Sequence, residues 1–254
     1  MKGTHVHQGI EHKINIEGEE WPQGSALSGT YDKVIHRSND NKPYEGVALV
    51  ACNLRKLKKK DPQAYFVIDH HLVESGSESF KWRFQLPNWS FITDKSHSYY
   101  ILYGTFDQLE KNSYLLGDGL GQLQLHTILH PRLQNLLGLM QTFLRFALKD
   151  VKNGKKDNVV AKLVAPECRE WSFIYSFELH LKMDEELTIH IDYLVTVNQL
   201  THEQIGKQIK QTKKTFSQSL SAKEFILYEN DFHPEKVVKE INTVLSELRP
   251  KLLY

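Results

Sequence analysis

The chain has 254 residues, of which 40% are hydrophobic and 25% charged, with a net charge of +1. That length suits one large domain or two ordinary ones. The near-neutral balance excludes a global field for collecting nucleic acid, two distant cysteines exclude a disulfide framework or thiolate zinc site, and no apolar run reaches the ~18 residues of a membrane span.

Met1 to His12 is polar and lacks a signal-peptide core, so a disordered end in a cytoplasmic protein is expected. Strand-like segments follow. Ile14 and Ile16 alternate with Lys13, Asn15 and Glu17, the period-two pattern of a half-buried sheet. Trp21-Pro22-Gln23-Gly24 reads as a turn, and Ala26 to Ile35 as a strand in which Gly29 marks a bulge or bend. Gly46–Leu54 and Ala64–Val73 are rich in β-branched and aromatic residues, with Asp61-Pro62 between them. Phe80, Trp82, Phe84 and Leu86 share a face, Pro87 ends that strand, and Ser98–Phe106 completes the set. Many short strands separated by turns imply a sandwich.

Tyr114 to Gly121 is a glycine-rich loop. Pro131 then opens a helical pattern, with Leu133, Leu136, Leu137, Met140, Leu144, Ala147 and Leu148 as its apolar stripe and Asn153-Gly154 as its stop. Ser172 to Met183 and Leu187 to Val197 alternate as two strands joined by the turn Asp184-Glu185-Glu186. Thr201 to Lys214 is polar and lysine-rich, and Phe225 to Tyr228 reads as a short strand. Pro234 starts a last helix whose stripe is Val237, Val238, Ile241, Val244, Leu245 and Leu248.

The segments "INIEGEEWPQGSALSG" and "FKWRFQLPNWSFITDKSHSYYILYGTF" together resemble the strands of an arrestin fold. "LQLHTILHPRLQNLLGLMQTFLRFALKDVKNGK", with its His130-Pro131 pair, resembles the inter-domain helix of the bacterial sporulation-control branch of that family. The resemblance spans roughly residues 10 to 200. It implies a mainly β protein of two arrestin-like β-sandwich domains with an inter-domain helix and a C-terminal helix. The expected division is 1–120 for the N-terminal sandwich and 121–254 for the helix, second sandwich and appended helix. It also implies an adaptor or regulator that binds protein partners through sheet edges, with no catalytic residues and no cofactor. The sequence shows no arrestin-type polar core of buried charges.

Several constellations invite chemistry. Asp69-His70-His71 looks like the motif of the DHH phosphoesterases, whose carboxylate and imidazole ligands suit hard divalent metals. A two-metal centre needs further aspartates ending parallel strands, and Asp32, Asp40 and Asp61 sit in isolated, turn-like settings. The expectation is a strand end with exposed polar side chains, and a metal-dependent phosphoesterase is the alternative. His5, His7 and His12 are expected to capture at most a stray metal ion, and His190 and Asp192 to lie on an outward polar stripe. His126 and His130 are expected to pack or hydrogen-bond near the domain junction. Neither Cys52 nor Cys168 has an activating context, and no GxSxG elbow is present.

The clearest candidate binding site is the basic run Arg55, Lys56, Lys58, Lys59 and Lys60, expected at a hairpin end. It suits a phosphorylated partner or anionic lipid, and a membrane-surface module using it is a further alternative. Lys207, Lys210, Lys213 and Lys214 add a second basic stretch. No nucleic acid is expected as a partner.

Overall fold

The computed structural model describes residues 1–36, 44–59, 61–74, 79–106, 119–155, 158–169, 171–203 and 206–247, with the backbone alone at 62, 74, 199–203 and 206–210. The chain divides into two compact units, Met1–Ile128 and Leu129–Tyr254.

The first unit contains β1 (Lys2–His7), β2 (Ile10–Ile16), β3 (Glu20–Pro22), β4 (Ala26–Ile35), β5 (Tyr44–Asn53), the short helix α1 (Leu54–Lys58), β6 (Tyr65–Glu74), β7 (Ser79–Gln85), β8 (His97–Phe106) and β9 (Leu120–Ile128). One sheet has the order β1-β2-β4-β7 and the other β3-β9-β8-β5-β6. Their inner faces meet in one core. Ile14, Ile16, Leu27, Tyr31, Trp82 and Phe84 of the first sheet pack on Val47, Leu49, Tyr99, Ile101, Tyr103 and Leu125 of the second. These are the period-two positions of the sequence, so alternation fixes which face is buried. The opposite face of β5 is apolar as well: Ala48 and Val50 cluster with Leu102 and Phe106.

Three local expectations change. Met1 to His12 is ordered: β1 pairs with β2 over Lys2↔Asn15 to His7↔Ile10, and the Met1 ammonium donates to Ile16 O at 2.7 Å. Gly29 makes no bulge, since β4 and β7 stay in register through it. It is glycine because a Cβ there would collide with Asn15 O and the Trp82 ring, so strand and indole can close up only on a bare backbone. Leu120–Ile128 pairs with β8, which puts it in the first unit and places the division at 128/129 where the sequence suggested 120/121. Most of the expected loop at 114–121 lies outside the described residues.

The second unit contains α2 (Pro131–Thr142), β10 (Ala147–Asn153), β11 (Val159–Val164), β12 (Ile174–Met183), β13 (Ile189–Glu203), β14 (Gly206–Leu220), the single turn α3 (Ala222–Phe225), β15 (Ile226–Tyr228), β16 (Asp231–Phe232) and α4 (Pro234–Glu247). The five strands β10 to β14 form one antiparallel sheet in sequence order. Its inner face carries Phe177, Leu179, Leu181, Ile191, Tyr193 and Val195, buried against Leu133, Leu136, Leu137 and Met140 of α2 and Val237, Ile241 and Leu245 of α4. Helices, together with the small β15–β16 hairpin, therefore supply the layer opposite this sheet. The last helix buries its stripe on its own unit.

The middle helix is shorter than its apolar stripe suggested. It ends at Thr142, and Ala147 and Leu148 begin β10. Arg145, at φ 58, turns the chain between them. The lysine-rich stretch after Leu200 is likewise extended, forming with β13 a hairpin paired from Ile189↔Leu220 to Glu203↔Gly206 without a register shift. Among the described residues, no helix is long and apolar enough to cross a membrane.

Candidate functional site

The basic run forms α1, the link between β5 and β6. Asn53 caps it: its Oδ1 accepts from the N–H groups of Arg55 and Lys56, both at 3.1 Å. Asp61 caps the next turn by accepting from Gln63 N at 2.8 Å. Arg55, Lys58 and Lys59 are exposed and Lys56 is half-buried; Lys60 lies outside the described residues. None of these four forms an ion pair among the described residues. The cap thus holds four cations on little more than one helical turn, with Asp61 capping the turn that follows. Of the second basic stretch, Lys213 is exposed on β14 and Lys214 half-buried; Lys207 and Lys210 occupy β14 positions whose side chains lie outside the described residues.

Asp69, His70 and His71 lie within β6 rather than at a strand end, exposed on an edge strand that pairs antiparallel with β5. Asp69 Oδ1 accepts from His70 N at 2.8 Å, beside an irregularity in the β5–β6 register at Leu49/Val50. A carboxylate capping a main-chain N–H next to a bulge blunts a sheet edge against further pairing. Among the described residues, no three His, Cys, Asp or Glu side chains are grouped to hold a metal ion.

His190 and Asp192 face outward, as alternation requires. His190 Nδ1 lies 2.9 Å from Ser219 Oγ and its Nε2 lies 3.0 Å from Asp184 Oδ2, while Ser217 donates to Asp192 at 2.7 Å. Ser219, His190 and Asp184 form a relay of the residue types used in nucleophilic catalysis, but on an exposed sheet face. Burial raises the pKa of Asp184, and the Thr188 N–H and His190 pull it below the usual range. The arrangement ties β14 to the 184–188 turn. Cys52 is buried, which pushes its thiol up to about 11, and Cys168 is exposed.

The sequence reading missed a buried polar layer in the first unit. Lys33 Nζ lies 2.5 Å from Glu45 Oε2, with both side chains 2% exposed. His12 is fully buried; its Nδ1 lies 2.6 Å from the Tyr31 hydroxyl and its Nε2 3.5 Å from Thr105 Oγ1. Burial, with Glu45 adding, pushes the Tyr31 pKa up so that the hydroxyl stays protonated. Pairing explains the grouping: His12 faces Lys33 across β2–β4, and Glu45 faces Thr105 across β5–β8. Strand parity was the available signal, because His12 has the parity of Ile14, and Lys33 that of Leu27 and Tyr31.

In the second unit, His130 caps α2, its Nδ1 accepting from Arg132 N at 3.1 Å. Burial, helped by the Arg132 charge, lowers its pKa to about 4. An unfolded chain binds this proton near pH 6.5, whereas the native chain refuses it until about pH 4. Stability is therefore expected to fall by about 3 kcal/mol as pH drops through that window, with no further loss from this group below it. Urea melts across the window measure this, and His130→Asn should flatten the curve. Beside α2, a groove of about 480 Å³ is lined by Asn135, Gly138, Leu139, Leu227, Asp231 and Phe232.

No protein-family model matches the sequence, and no curated protein does. Solved structures do match. The crystal structure of Spo0M, the sporulation control protein from Bacillus subtilis, aligns over 95% of this chain and 98% of its own, at TM-score 0.56 and 16% identity. The chain has the fold of Spo0M. A DUF4785 family protein from Legionella pneumophila aligns over 84% of this chain and 45% of its own at 13% identity, but its TM-score of 0.28 carries no structural weight. The Spo0M likeness bears out the arrestin-like, sporulation-control resemblance at the level of fold, and the mainly β architecture with it.

Proposed function

We propose that this protein is a non-catalytic adaptor or regulatory binding protein, a regulator as Spo0M is by its description, which takes protein partners by strand addition at its sheet edges. The observation that carries this reading is β14. It is the terminal strand of its sheet and pairs with β13 over 15 consecutive residues without a register shift or proline. Three other edges are blunted: β6 by Asp69 and an irregular register, β10 by a shift at Leu148/Asp150, and β3 by its length of three residues; the edges β1 and β7 are regular but run over only six and seven residues. A long regular edge offers a partner a row of main-chain groups, and the α1 cations offer a separate contact for a phosphorylated or lipid anion. The phosphoesterase alternative has less support, because Asp69 lies on an antiparallel edge with its carboxylate engaged by the main chain.

Photo-cross-linking in cells tests this. A benzophenone side chain at Ser217, beside the edge, should give a discrete protein adduct, and one at Lys162, within the same sheet on β11, should not. Equal labelling from both positions would count against strand addition.

A further inference from the structure

The end of the first unit where β5 stops and β8 starts gathers the basic run and two exposed aromatic side chains. Asn53 pairs with His97 there, and Cys52 with Tyr65, so α1, the 87–96 connection and the start of β6 share that end. Leu54 N donates to Ser96 O at 2.8 Å, which ties α1 to the connection. In the sheet order β3-β9-β8-β5-β6, α1 follows β5 and Phe66 lies on β6 to one side of it. On the other side the connection reaches β9, where Thr93 N donates to Thr127 O at 2.8 Å.

The connection is propped from within. Phe91 stacks on His97 with ring centroids 4.3 Å apart, and its carbonyl accepts from Thr127 Oγ1 at 2.9 Å. Ser90 N donates to Pro87 O at 3.0 Å, closing a turn whose central residues are Asn88 and Trp89. Trp89 on that turn is 37% exposed, and Phe66 is 64% exposed. They are the exposed large aromatic side chains among the described residues of this unit. Lys95, exposed in the same connection, joins Arg55, Lys58 and Lys59.

We propose that this end is a membrane-docking face: Arg55, Lys58, Lys59 and Lys95 meet an anionic lipid surface while Trp89 and Phe66 enter its interfacial layer. The proposal rests on the reading of α1 as an anion contact given above and narrows that contact to lipid. It does not depend on β14.

The chemistry of the face selects the partner. One exposed aromatic side chain is ordinary, but two flanking a group of cations match a surface that is anionic outside and apolar just beneath. A phosphorylated peptide would engage the cations and leave both rings in water. The carboxylates at this end leave the cations dominant. Asp61 accepts from Gln63 N at 2.8 Å, and Asp94 accepts from Ser96 N at 2.6 Å and His97 N at 2.9 Å, so both are turned to the main chain. Glu17, Glu19 and Glu20 lie on the connection into β3, the opposite edge of the sheet from β6. Three strand spacings separate β3 from β5, about 14 Å, which exceeds the Debye length of about 8 Å at physiological salt.

Cosedimentation of the full chain with vesicles of mixed phosphatidylglycerol and phosphatidylcholine, and of phosphatidylcholine alone, tests the face. Binding should be confined to the anionic vesicles and weaken as salt is raised. It should fall about fivefold for each cation removed in Lys58→Gln and Lys59→Gln. Trp89 is a built-in reporter, because Trp21, Trp82 and Trp171 are buried. Tryptophan emission should shift to the blue on binding and be quenched by brominated phosphatidylglycerol. Both changes should vanish in Trp89→Phe, which should still bind. Absence of binding to anionic vesicles would overturn the proposal, as would binding that leaves the emission unchanged. Binding of a phosphoserine peptide without vesicle binding would also overturn it, yet would keep α1 as an anion contact. Binding of neither would remove both readings of α1 and leave the Ser217 test of β14 untouched.

Discussion

Lys33→Met should lower the stability of the first unit by about 3–5 kcal/mol, because it leaves the Glu45 carboxylate uncompensated in a site that is 2% exposed. Glu45→Leu alone should cost a similar amount, since Lys33 then lacks its anion. The double variant should recover most of the loss: a buried ion pair contributes little net stability once both desolvation penalties are removed. Urea unfolding of all three variants measures the cycle. Losses that simply add in the double variant would show that Lys33 and Glu45 do not act as a pair. His12 faces Lys33 and Thr105 faces Glu45 across their strand pairs, so the pair's immediate neighbours are polar.

Arg132→Met should cost the second unit about 2–4 kcal/mol. The Arg132 guanidinium donates to Leu187 O at 3.2 Å, Glu229 O at 3.1 Å and Asn230 Oδ1 at 3.3 Å. Leu187 and Glu229 both have left-handed backbones, at φ 62 and φ 45. A non-glycine residue there costs roughly 1–2 kcal/mol, so one side chain on α2 holds two strained turns, between β12 and β13 and between β15 and β16. Removing it orphans the acceptors and frees the turns together. Leu187→Gly in the Arg132→Met background should restore about 1 kcal/mol, as glycine adopts this conformation without a Cβ clash. A loss under about 0.5 kcal/mol in Arg132→Met, the range of an ordinary surface substitution, would show that the turns hold themselves.

Much of the fold was legible because strand alternation survives in the sequence. Phe177, Leu179 and Leu181 fall on the inner face of β12 as their spacing requires, and Val237, Ile241 and Leu245 line α4. The misreadings have local causes. Ala147 and Leu148 continue the helical spacing of α2 by chance, but Arg145 reverses the chain before them. Met1 to His12 reads as polar because its inner positions are histidines, which pair and stack as a strand face without the usual aliphatic signature. Thr201 to Lys214 shows no apolar alternation in the sequence, so its pairing with β13 left no signal to read there. The candidate sites were less legible. Asp69-His70-His71 matches a catalytic motif in letters, yet its setting is an antiparallel edge, and the topology decides its chemistry. The Lys33–Glu45 pair is set by which strands face each other, information that no segment of the sequence holds alone.

The most direct test of strand addition places proline at Lys214 and, separately, at Thr215. In a β-strand, successive N–H groups point to opposite sides, so one variant removes a bond to β13 and the other only an outward donor. The account predicts that one of the two folds normally by circular dichroism and loses the Ser217 cross-linked adduct. A normally folded variant that lacks the outward donor yet keeps the adduct would contradict it, and partner binding would then be sought on a face of the protein rather than at this edge.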